Sequence, residues 1–77
     1  MTPAEADQRI ILSRRTLFKY KAMIAGGELP VWDMGLMHDE LDLLERIADS
    51  HPTKTEKIRA LGEEWLRMMA AIQARLN

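Results

Sequence analysis

No cysteine occurs in the chain, which excludes disulfides, thiolate metal sites and cysteine nucleophiles at a size where small proteins often rely on such staples. Aromatic residues are scarce, at two Trp, one Tyr and one Phe, so each has a large share in deciding what core and surface can do. Uninterrupted apolar runs reach five residues at most (Met68 to Ile72), far short of the ~20 that span a bilayer. Neither charge dominates: 11 Lys+Arg against 12 Asp+Glu give a formal net charge of −1, which disfavours a general binder of phosphate backbones. A chain of 77 residues buries only ~60% of the surface its unfolded form exposes, so a deep catalytic pocket is not expected. Glu5 and Asp7 precede any apolar stretch, unlike the basic start of a secretory signal, and the protein is expected to be cytoplasmic.

What is present is helix punctuation. Thr2-Pro3-Ala4-Glu5 forms a capping box with proline at the first helical position, and Gly26-Gly27 supplies a left-handed stop, which predicts a helix over 3–25. Asp33 is the expected cap of a second helix over 34–49, ended ahead of Pro52 because a residue before proline is pushed out of helical geometry. A second capping box, Thr53-Lys54-Thr55-Glu56, opens a third helix over 54–76. No segment alternates as a strand does. Short connections favour antiparallel neighbours, so residues 1–77 read as one helical domain, an all-α, up-down-up three-helix bundle that self-associates. A competing layout breaks the third helix at Gly62; residues 43–62 then resemble the first two helices of a winged-helix or helix-turn-helix DNA reader.

The helical faces differ in how much they must bury. The third helix has one apolar stripe, Ile58, Leu61, Trp65, Met68, Met69, Ile72 and Leu76. On the second, Met34, Met37, Leu41, Leu44 and Ala48 lie beside a ridge of Leu36, Leu43 and Ile47, while His38, Asp42, Glu45 and Asp49 occupy the opposite side. That polar stripe reads as a solvated face and not a metal site, because a carboxylate bundle needs Glu-x-x-His motifs on more than one helix. The first helix is apolar nearly all round: Ile10, Leu17, Tyr20 and Ile24 form one ridge, Ile11, Phe18 and Ala22 another, and Leu12 with Met23 a third. A bundle buries one broad face per helix, so the surplus implies a second partner.

Charge is segregated in the same way. Residues 9–25 carry five basic side chains and no acid, whereas 28–49 carry seven acids and one base, Arg46. These charges could pair between neighbouring helices of one molecule, or could steer the basic helix onto an acidic surface of its own kind or another protein's. In the loop, Trp32 stands among Leu29, Pro30 and Val31; it either plugs the open end of the bundle, the preferred reading, or forms an exposed hot spot.

These features predict a small non-enzymatic interaction protein of the adaptor, chaperone or phage-type inhibitor kind. Its contacts would run through the first helix and the 28–33 loop, with Leu12, Arg14, Arg15, Phe18, Lys19, Tyr20, Lys21, Met23 and Trp32 as partner-binding residues. The expected partner is another protein or a further copy of the chain, with no catalytic residue, metal or cofactor. The alternatives are DNA binding through the helix-turn-helix layout, which Glu63 and Glu64 at the start of the would-be recognition helix disfavour, and an oligomer holding a small anionic nucleotide between aromatic and basic side chains.

Overall fold

The computed structural model describes residues 1–76. Three helices, α1 (Pro3–Ala25), α2 (Met34–Ser50) and α3 (Thr55–Leu76), are joined by short 3₁₀ turns at Val31–Asp33 and Pro52–Lys54. The all-α three-helix bundle expected from the sequence is what forms, 38 × 19 × 18 Å in extent.

Local chemistry sets the helix ends. The Glu5 N–H donates to Thr2 Oγ1 at 3.2 Å and the Thr2 N–H donates to Glu5 Oε1 at 3.1 Å, completing the capping box. This pairing holds the Glu5 carboxyl below its ordinary range, with the Thr2 backbone N–H as the leading cause. At the other end, Gly27 takes φ +91°. The Glu28 N–H bonds back to the Met23 carbonyl at 2.9 Å and the Gly27 N–H to that of Ile24 at 3.0 Å, so the carbonyls left over at the helix end are satisfied. The second helix begins at Met34 after Asp33, as expected, but its cap and the start of the third differ from the expectation. Asp33 precedes α2 without a side-chain capping bond. Pro52–Lys54 curl into a 3₁₀ turn, so α3 starts at Thr55, one residue late.

Contacts along the helices fix the topology. Asp7 meets Lys54 near the start of α1, Ser13 meets Trp65 at its middle and Lys21 meets Glu64 towards its end, so α1 and α3 run parallel. α2 returns between them, with Leu41 against Gly62. α3 is continuous through Gly62, so the layout broken at that residue does not form.

Six residues of the predicted α3 stripe are buried, Ile58 through Ile72, while Leu76 at the helix end is 51% exposed. α2 contributes Met37, Leu44 and Ile47, with Met34, Leu41, Leu43 and Ala48 half-buried around them. α1 buries Ala6, Ile10, Ser13, Leu17 and Tyr20, a four-three-four-three spacing that keeps one stripe inward. Ser13 is the member that apolar patterning misses. It is fully buried, and its Oγ accepts the Trp65 indole N–H at 3.1 Å, which satisfies the polar atom of the largest core side chain.

Candidate interaction surface

Burying one stripe of α1 leaves the rest of its apolar residues outside. Ile11 (41%), Leu12 (49%) and Phe18 (57%) remain exposed, as the excess of apolar residues around this helix requires. The predicted partner-binding residues fall into three groups. Leu12, Lys19 and half-buried Met23, with Thr16 between them, repeat at four-three-four spacing and form the edge of α1 nearest α2. Arg14, Phe18 and Lys21 occupy the edge nearest α3, where the Lys21 ammonium lies 5.8 Å from the Phe18 ring centroid and 3.9 Å from Glu64. Arg15 points outward between the two edges.

Tyr20 does not belong with them. It is 8% exposed and packs edge-on against Trp65, ring centroids 6.0 Å apart, so it is a core residue that reaches the surface only where it lines the groove between α1 and α2. Burial first, then the neighbouring Asp33, pushes its hydroxyl pKa up.

Trp32 is the largest departure from the expected packing. The loop is anchored by buried Pro30 and half-buried Val31, and these fill the end of the bundle that Trp32 was expected to plug. Trp32 is left 94% exposed. It lies one turn before Leu36, itself 62% exposed, and Trp32, Leu36, Asp39 and Leu43 continue at four-three-four spacing along the edge of α2 that faces α1. Leu36, Asp39 and Leu43 were absent from the predicted set. The signal for them was available: the second apolar ridge of α2, Leu36-Leu43-Ile47, is wider than the core can take.

The two edges bound a groove of about 370 Å³, lined by Thr16, Tyr20, Leu36, Asp39, Glu40 and Leu43 among others. Its floor holds the Arg9–Glu40 ion pair at 2.7 Å. This bond uses one Glu40 oxygen and leaves Oε1 buried with no partner.

The charge segregation is only slightly consumed inside the molecule. Arg9–Glu40 is the one salt bridge between α1 and α2 among the described residues. Arg14, Arg15 and Lys19 on α1 have no carboxylate within 4 Å among those residues, and Asp39, Asp42, Glu45 and Asp49 on α2 have no cation. The groove therefore holds the Arg9–Glu40 pair beside Leu36 and Leu43, with Asp39 and Arg46 of opposite sign on its α2 side, while Arg15 points outward and Asp42 lies on the side of α2 that faces α3.

The remaining polar stripe on α2, with His38, Asp42 and Glu45, is exposed, and no group of three or more metal-ligating side chains comes together among the described residues. No described helix is long and apolar enough to cross a membrane. No protein-family model, curated protein or solved structure matches the chain.

Proposed function

We propose that this chain is a small non-enzymatic interaction protein of the adaptor, chaperone or inhibitor kind, working in the cytoplasm. It binds a macromolecular partner through the α1 edge, the 28–33 loop and the facing edge of α2. The observation that carries the reading is Trp32, held 94% exposed at the head of a ridge that continues through exposed Leu36. Tryptophan is enriched among the residues that dominate interface energies, and leaving one in water forgoes a large gain from burial that the fold offered no room to collect. Leu12 and Met23 across the groove extend the apolar surface, and the rim charges supply orientation and association rate. The absence of cysteine suits a reducing compartment.

Site-specific photo-crosslinking in the native cell tests this. A photoreactive residue at position 32 or 36 is expected to give a discrete covalent adduct, while one at Ala60, exposed on α3, gives none. Loss of discrimination between these positions would overturn the assignment of this face.

A further inference from the structure

We propose that the ridge of Trp32, Leu36, Asp39, Leu43, Arg46 and Ser50 is the seam of a homodimer, in which α2 of a second copy lies antiparallel along it about a two-fold axis through Leu43. The inference rests on the interaction reading above and names its partner. It follows from the charges left over on this face. Four charged side chains line the groove between α1 and α2. Arg9 and Glu40 are paired with each other at 2.7 Å, whereas Asp39 and Arg46 have no ion of opposite sign within 4 Å among the described residues. The other unpaired carboxylates of α2 lie off the seam: Asp42 and Glu45 line the cleft towards α3, and Asp49 stands two turns beyond Asp42 in the same row. In a symmetric interface each patch must complement itself. Asp39 lies four residues before Leu43 and Arg46 three residues after it, so an antiparallel two-fold at Leu43 sets each Asp39 against the other copy's Arg46, twice per dimer. A parallel two-fold in register sets Asp39 against Asp39 and Arg46 against Arg46. Only the antiparallel arrangement uses the two charges that the groove leaves unpaired, and a second copy already carries them in the order required.

The apolar residues follow the same register. The ridge recurs at four-three-four-three-four spacing, the interval that keeps one helical face against a neighbouring helix. Half-buried Leu43 meets its own copy at the axis. Leu36, 62% exposed and two turns away, comes level with Ser50 of the other copy, where Met1, Ile47, Ser50 and His51 line a cavity of about 140 Å³. Trp32, one turn further out, then lies over the turn that begins at Pro52 and is withdrawn from water. The seam is ~27 Å long from Trp32 to Ser50, at ~1.5 Å per residue, and one helix wide. That is small beside the ~800 Å² per partner of a stable complex, so the dimer forms as concentration rises and dissociates on dilution.

Single cysteines in the full chain test the axis, since the sequence has none of its own. Under mild oxidation Leu43→Cys is expected to close a disulfide between copies, because position 43 lies on the axis and a disulfide spans ~4.4–6.8 Å between Cα atoms. Leu36→Cys is expected to stay reduced, as two seven-residue steps separate it from its own copy by roughly 21 Å. Closure at both positions overturns the antiparallel axis, which a parallel one would replace, and closure at neither overturns the seam. Sedimentation equilibrium tests the pairing. Asp39→Arg and Arg46→Asp are each expected to raise the dimer dissociation constant about tenfold at low salt, as both pairs change from attraction to repulsion. The variant carrying both exchanges restores opposite signs and is expected to return close to the unmodified protein; one as weak as the single exchanges overturns the pairing. Both positions are exposed, and circular dichroism checks helicity; where an exchange lowers it, Asp39→Asn and Arg46→Gln carry the loss at smaller amplitude. An unmodified protein that stays monomeric overturns the second copy as occupant. In that case, a position-32 crosslink to a different protein leaves the interaction reading standing, and the lack of any crosslink removes it as well.

Discussion

Replacing Ser13 by Ala removes a single oxygen from the core and is expected to be costly. Ser13 is fully buried and Trp65 is 1% exposed, with the indole N–H donating to Ser13 Oγ at 3.1 Å. In Ser13→Ala the indole N–H has no acceptor and no water, and a buried donor left unpaired costs ~1–3 kcal/mol. Small proteins have ~0.05–0.15 kcal/mol of stability per residue, so a 77-residue chain stands to lose a substantial fraction of the total. At ~4–8 °C per kcal/mol for a domain of this size, a 2 kcal/mol loss lowers Tm by roughly 8–16 °C. Urea unfolding followed by circular dichroism gives the free energy, and an unchanged slope against urea shows that the two end states are preserved. A double-mutant cycle isolates the bond. With Trp65→Phe as background the Ser13 hydroxyl can bond to a carbonyl one turn earlier, and Ser13→Ala there is expected to cost less than about 0.5 kcal/mol. Equal losses in the two backgrounds would refute the reasoning, since the cost would then come from packing around position 13.

Other substitutions separate core from surface. Leu17→Ala, at a fully buried position, is expected to cost ~2–5 kcal/mol in urea unfolding, whereas Leu36→Ala, measured in dilute protein, stays within about 0.5 kcal/mol; similar values would place Leu36 in the core. Gly62→Ala is expected to stabilise by ~0.5–1 kcal/mol, because the added methyl meets Leu41 at an ordinary 3.8 Å inside a helix, while Gly27→Ala destabilises, its φ of +91° being strained for any side chain; a thermal melt in which both shift the same way would count against this geometry. Lys54 donates to Asp7 at 2.7 Å and holds its carboxyl below the ordinary 3.8. That contribution is present above 3.8 and is lost as pH falls through the lower folded value. Asp7→Asn is therefore expected to lower the urea midpoint at neutral pH and to flatten its decline below that range, and an unchanged pH profile would contradict the pairing.

Much of the architecture was legible because it depends on local chemistry. The capping box at Thr2, the double glycine after Ala25 and the stripe on α3 each carry their own physical reason, and each formed. Helical periodicity gives an angle around the helix and not a depth, which is why Tyr20 could be counted with the outer residues of α1 when its ridge faces Trp65. It also says nothing about a small polar residue such as Ser13, whose place inside depends on a donor 52 positions away in sequence. Trp32 illustrates the same limit: whether a loop indole packs or projects is decided by how Pro30 and Val31 seat on the core, a tertiary matter. The candidate surface was half visible. Its α1 edge shows as too many apolar residues for one helix, but on α2 the periodicity gives only a second apolar ridge of Leu36, Leu43 and Ile47, and the angle of approach of α1 fixes that Leu36 stays exposed while Ile47 is buried.

The most direct test of the central claim is iodide quenching of tryptophan fluorescence in the unmodified protein as its concentration is raised. Trp32 is 94% exposed and Trp65 1%, so the quenchable fraction of the emission reports Trp32 without any substitution. A second copy seated over the exposed Trp32–Leu36 ridge is expected to shield Trp32, and the quenchable fraction falls with concentration along the same curve as the rise in mass. A fraction that stays constant from dilute monomer to the highest attainable concentration would contradict the account.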